Sequence, residues 1–96
     1  MAVVIEHRVA GSRDQHDAAD AKVEEALGEL GGPPDGLMFH LSWPEDDGFV
    51  VIDVWRSEKE ARRFFDSVVR PGMAAVGLDA GVPTVRPVWG MARPPA

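Results

Sequence analysis

"GFVVIDVWRS", residues 48 to 57, is the most apolar run of the chain, and it carries one carboxylate, Asp53, near its middle. Trp55 follows two residues later. A run of this kind reads as a strand, and strand side chains alternate across a sheet. Val50, Ile52 and Val54 form one set; Phe49, Val51, Asp53 and Trp55 form the other. The even set is uniformly β-branched and is expected beneath the helices, with the odd set on the opposite face. An acid on so apolar a surface needs a partner or a changed pKa.

The partner is sought in the strand before it. "LMFHLSW", residues 37 to 43, is joined to the opening stretch by the turn "PEDDG", which makes a hairpin. Leu37, Phe39 and Leu41 are wholly apolar and are expected to pack on the helices. That leaves Met38, His40 and Ser42 beside Asp53 and Trp55. The pattern does not fix the hairpin register, and a slip of one residue exchanges the faces.

Further out, "VVIEHRVAG" gives a first strand over about 2 to 9. Ser12 and Gln15 have capping-box spacing, and the recurrence of Ala19, Val23, Ala26, Leu27 and Leu30 predicts a helix over about 13 to 30. "GGPPDG" stops it. After the hairpin, Ser57 and Glu60 repeat the capping box, and Ala61, Phe64, Phe65 and Val68 form an apolar stripe. Pro71 is expected to kink or end this second helix near Arg70. "MAAVGLDAG" reads as a further turn of helix, and "TVRPVWGM" as a last strand placed at a sheet edge by Pro87.

The order β-α-β-β-α-β predicts an α+β, ferredoxin-like domain: a four-stranded antiparallel sheet with two helices on one face. Ninety-six residues make one domain, over 1–92, with a loose tail at 93–96. The absence of cysteine excludes disulfides, thiolate metal sites and cysteine nucleophiles. A net charge of −6 argues against a nucleic-acid groove. No signal peptide is expected from "MAVVIEHRVAG", and no apolar run approaches the roughly 20 residues that span a bilayer. A cytoplasmic protein without a membrane partner is the expectation.

The odd face, with Met38, Phe49, Val51 and Trp55 around His40, Ser42 and Asp53, is too apolar to meet water. The expected cover is a second copy, giving a homodimer that encloses a pocket for a hydrophobic or aromatic small molecule. With this order, "HLSWPEDDGFVVIDVWRSEKEARRFFDSVVRP" (40 to 71) and the closing "RPVWG", the chain resembles the dimeric α/β-barrel superfamily, in particular its antibiotic-biosynthesis-monooxygenase-like group. The resemblance implies a homodimer with a pocket between each sheet and its helices or partner sheet. Relatives of this kind include cofactor-independent quinone-forming oxygenases, haem-degrading oxygenases, isomerases, decarboxylases and polyketide cyclases. Oxygenase relatives often use a pocket asparagine and tryptophan; Trp55 resembles the tryptophan, while the chain has no asparagine and no tyrosine.

His40 and Asp53 are the candidate catalytic pair. Placed across the hairpin, the carboxylate orients the imidazole and raises its basicity, so that it removes a proton from a phenol or activated carbon. Trp55, Met38, Ser42, Phe49 and Val51 are the candidate substrate-binding residues. The alternative is a non-catalytic dimeric ligand-binding or structural module in which the pair only fixes the hairpin. Trp43 and Trp89 are expected in packing roles. His7 is expected at the surface or a dimer contact, and His16 in solvent. No metal site is expected, since the histidines lack ligand spacing. The expected cofactor is none, with haem on a single histidine as the secondary option.

Overall fold

The opening run forms the second strand of a hairpin at the centre of the fold. A computed structural model describes residues 1–92, and the tail expected at 93–96 lies outside the described residues. The strands are β1 (Val3–Ala10), β2 (Leu37–Glu45), β3 (Gly48–Trp55) and β4 (Thr84–Pro87). They form one sheet in the order β2-β3-β1-β4, and every neighbouring pair is antiparallel. Helix α1 (Arg13–Glu29) joins β1 to β2. Between β3 and β4 run α2 (Glu58–Phe64), a π-helical segment (Phe65–Val69) and α3 (Arg70–Ala74). This is the α+β, ferredoxin-like layout that the element order predicts.

Local chemistry sets the helix ends. Ser12 and Gln15 close a reciprocal capping box at α1, and the Ser57 hydroxyl caps α2 through the Glu60 N–H. At the far end of α1, Gly31 takes φ 89° and Gly32 φ 122°, and the Gly32 N–H reaches back to Leu27 O at 2.8 Å. Pro71 does not end the second helix. The backbone widens into the π segment just before it, where the Arg70 N–H bonds Phe65 O, and α3 then carries Pro71 near its start. A wider turn accommodates a residue that has no N–H to give. It also turns Phe65, Val68, Val69 and Met73 all inward.

The register corrects the expected facing of the sheet. The odd residues of β3 look toward the helices: Phe49, Val51 and Trp55 share one core cluster with Ala19, Phe64 and Met73. The even set lies on the other side, opposite Val4, Glu6 and Arg8 of β1. A bulge at Met38 resets β2, so that Leu37 stands beside Trp55 while Phe39, Leu41 and Trp43 pair with Val54, Ile52 and Val50 on the open face. The physical reason is volume. Under the helices the larger Phe49 and Trp55 fill the core with Ala19, Phe64 and Met73, a volume that valines alone would leave open. The β-branched set instead makes a flat surface, which suits a second sheet.

The last strand is shorter than expected. Pairing of β4 with β1 ends at Pro87, and one further bond runs from the Val88 N–H to Ala2 O. Trp89 is 96% exposed, and Trp43 is also on the surface, so neither takes the packing role expected of it within this chain.

Candidate functional site

Asp53 finds its partner across the hairpin. His40 is its cross-strand neighbour, and both project toward the helices. The His40 Nδ1 lies 2.5 Å from Asp53 Oδ1. Position in the sheet gives the two groups different surroundings. Asp53, on an inner strand, is 6% exposed, whereas the His40 side chain, on the edge strand, is 48% exposed. The hydrogen bond to Asp53 raises the His40 pKa above its ordinary value, partial burial opposes this, and the charges of Asp53 and Asp20 add to the rise. With Nδ1–H donated to the carboxylate, the neutral ring carries its free lone pair on Nε2. An oriented imidazole of raised basicity is a general base.

The pair forms one wall of a cavity of about 250 Å³ between the sheet and the helices. Phe49 and Val51 complete the sheet wall, Phe64, Val69 and Met73 close it from the second helical layer, and α1 supplies a stripe of His16, Ala19, Asp20, Val23 and Leu27. Among the described residues the lining contains no lysine or arginine; its charged members are Asp20, Glu24 and Asp53. Such a cavity, apolar with a few convergent polar groups, is what a small-molecule site looks like. It lies within one chain, under the helices, the first of the two places the resemblance implied, and not under a second copy as the facing of the strands suggested.

The candidate residues divide. His40, Asp53, Phe49 and Val51 line the cavity together. Ser42 reaches it only through His16, whose Nε2 lies 2.9 Å from the Ser42 Oγ. Met38 falls at the bulge, exposed, outside the cavity. Trp55 is buried with its ring 5.1 Å from that of Phe64, so it supports a lining residue and is not itself on the cavity wall. Its indole N–H has no partner among the described residues.

Two histidines were misplaced by the sequence reading. His16 is largely covered and lines the cavity. Its helical spacing with Ala19, Val23 and Leu27 is the signal that could have found it. His7 is 4% exposed, edge-on to Phe65 with centroids 5.0 Å apart, and its Nδ1 has no partner among the described residues. Burial lowers its pKa from 6.5 to about 4; Asp53 pulls upward, while His40 and Arg70 push further down. The described residues contain no group of three or more His, Asp or Glu side chains placed to hold a metal ion. No helix among them is long and apolar enough to cross a membrane.

No protein-family model matches the chain, and no curated protein is similar to it in sequence. Solved structures do match. SnoaB, a cofactor-independent oxygenase from Streptomyces nogalater, is similar with a TM-score of 0.66 at 18% identity, over 94% of this chain and 95% of that one. A Deinococcus radiodurans protein assigned to the antibiotic biosynthesis monooxygenases matches at 0.61 and 10% identity, over the full length of both. The monooxygenase ActVA-Orf6 of Streptomyces coelicolor, solved with the ligand nanaomycin D, matches at 0.54 and 22% identity, over 98% of this chain and 91% of that one. The chain therefore has the fold of the antibiotic-biosynthesis-monooxygenase-like proteins. At these identities the likeness establishes the fold and leaves the reaction to the site.

Proposed function

We propose that this chain, with the fold just described, is a small enzyme that removes a proton from an aromatic or polyketide-like molecule, acting as a monooxygenase or as an isomerase/cyclase without a bound cofactor. The observation that carries this reading is the 2.5 Å contact between His40 and Asp53 at the wall of an apolar cavity. The cofactor-independent chemistry of SnoaB supports it.

His40 Nε2 takes a proton from a ring carbon or phenol, and Asp53 steadies the imidazolium that results. The substrate is left as a resonance-stabilised carbanion. In the non-oxidative branch the proton returns at another carbon or the carbanion closes a ring. In the oxidative branch dioxygen is the co-reactant. The carbanion adds to it, the proton from His40 completes a hydroperoxide, and loss of water, with the second hydrogen of the same carbon, leaves a carbonyl. One CH₂ and one O₂ become one C=O and one water. Haem suits this cavity poorly, since the charged residues of its lining are Asp20, Glu24 and Asp53, which offer its propionates no cationic partner.

A homodimer belongs to this reading. Phe39, Leu41, Trp43 and Ile52 lie on the open sheet face, with Phe39 and Trp43 exposed. A flat apolar surface of this kind supports sheet-to-sheet packing of two copies. The burial of Trp55 away from the cavity favours a second reading, a non-catalytic dimeric ligand-binding or structural module.

His40→Ala separates the two. The enzyme reading expects turnover of a hydroxylated naphthacenone or anthrone, followed by oxygen uptake or product absorbance, to fall roughly a hundredfold to ten-thousandfold. Light scattering on the same sample should still give the mass of two chains. Unchanged turnover would remove His40 from the chemistry. The module reading expects no turnover in either protein and a lower melting temperature for the variant.

A further inference from the structure

Two cavities meet at the side chains of His16 and Phe49. Beside the inner cavity lies a cleft of about 220 Å³, between Ser12 and Arg13 at the start of α1 and Ser42, Trp43 and Pro44 of β2. His16 and Phe49 line both spaces. The His16 ring stands edge-on to Phe49, with centroids 4.8 Å apart and planes at 87°. Its Nδ1 lies 2.9 Å from Asp17 Oδ1, and its Nε2 lies 2.9 Å from Ser42 Oγ. With Nδ1–H donated to the carboxylate, Nε2 is left to accept the Ser42 hydroxyl. The imidazole is thus held from both edges, between helix and edge strand, in the wall that divides the two spaces.

The volumes make this wall matter. Pockets for drug-sized ligands run from roughly 300 to 1,000 Å³. The inner cavity, at about 250 Å³, and the outer cleft, at about 220 Å³, each fall short of that range, and together they enter it. On the strand side the ring is latched by one hydrogen bond, to the Ser42 hydroxyl, while Asp17 ties it to its own helix.

The geometry points to His16 as a partition that sets the length of ligand the site accepts. Closed on Ser42, it confines the ligand to the inner cavity beside Asp53 and His40. Swung away, it joins the cleft to the cavity, so that an elongated polycyclic molecule lies with its reacting ring at His40 and its far end in the cleft between Ser12, Arg13 and Pro44. This rests on the cavity being a ligand site, as proposed above, and adds a residue that selects among ligands without touching the proton transferred.

The test is binding, read by calorimetry, so it does not depend on turnover. Two phenols serve as probes, the two-ring β-naphthol and a four-ring hydroxytetracenequinone. His16→Ala removes the partition, and Ser42→Ala releases it while keeping the ring. Both variants should bind the four-ring probe about tenfold more tightly than the parent chain, with β-naphthol affinity unchanged. Ser42→Ala carries the test if His16→Ala fails to fold. Should β-naphthol bind all forms while the four-ring affinity stays fixed, or should both probes tighten equally, the partition is overturned and the site stands. Should β-naphthol bind none of them, the cavity is no ligand site and both readings fall.

Discussion

His7 and His40 project from the same face of one sheet, with β3 between their strands, and the fold treats them in opposite ways. His40, on the edge strand, keeps half its surface in water and faces Asp53, so its pKa rises. His7 is on β1 beyond the last pairing of β4, sealed under Phe65, with Nδ1 unpartnered, and its pKa falls to about 4. Strand position and partner, not residue type, decide which imidazole is a base and which is a neutral core group. Both feel the Asp53 charge, but only His40 shares its hydrogen bond, and that bond is the larger influence.

Removing the carboxylate is the strongest way to break the contrast. Asp53→Asn keeps the shape of the pair and removes its charge. Turnover should fall by roughly a hundredfold to ten-thousandfold, and the His40 titration, followed by NMR of the ring protons, should move down toward 6.5. His7 should move down as well, because Asp53 raises it. What then separates the two histidines is chiefly burial, with Arg70 still lowering His7 and Asp20 still raising His40. A His40 titration that does not move would show that the contact across the hairpin is not what sets its basicity.

His7 sharpens the contrast through stability. Its folded pKa of about 4 lies below its ordinary 6.5, so between those values the unfolded chain binds the proton that the folded chain refuses. Stability should therefore fall as pH drops from 6.5 to about 4, by about 3 kcal/mol in total, and level off below. His7→Leu fills similar space and has no proton to take up. Urea melts of the variant should lose this acid-side slope, and at neutral pH the variant should be more stable by about 1 kcal/mol or more, because an unpartnered buried nitrogen is gone. An acid limb of unchanged steepness would mean that His7 is not the group responsible.

How much of this was legible follows from where the signals lie. Element order came from caps and periodicities that are local: Ser12 with Gln15, Ser57 with Glu60, and the alternation of β3. The pairing of His40 with Asp53 was readable because hairpin neighbours are few, and the observed register places them opposite each other. The covering of each face was not readable. A β-branched set and an aromatic set are both apolar, and alternation alone does not say which goes beneath the helices. The Met38 bulge, which moves Phe39 to the open face, has no marker in composition. His7 depended on the π segment bringing Phe65 over it, a contact between residues 58 positions apart. His16 was legible in principle, since it lies on the apolar stripe of α1, but it stands in the first turn of that helix, where a polar residue is expected to be solvated.

The smallest effect completes the comparison from the other side. A pKa raised in the folded state means that the folded chain holds the proton more tightly than the unfolded one. The contribution of His40 is then fully present below its ordinary 6.5 and is lost as pH rises through the raised value. Its side chain is half exposed, so water screens the pair, and the change should be below about 1 kcal/mol. His40→Gln keeps a hydrogen-bond donor toward Asp53 and does not titrate. Comparing its melts with those of the parent chain, from about pH 6 to about pH 9, isolates this limb. The slope should be opposite in sign to that of His7, since one histidine gains a charge partner by folding and the other loses its water. The same titration governs catalysis, because only neutral His40 is a base: kcat/KM should rise with pH along a limb whose midpoint lies above 6.5. A stability change that begins near 6.5 and levels off where the rate limb is centred would tie both to the same ring, and one that levels off elsewhere would assign the base elsewhere.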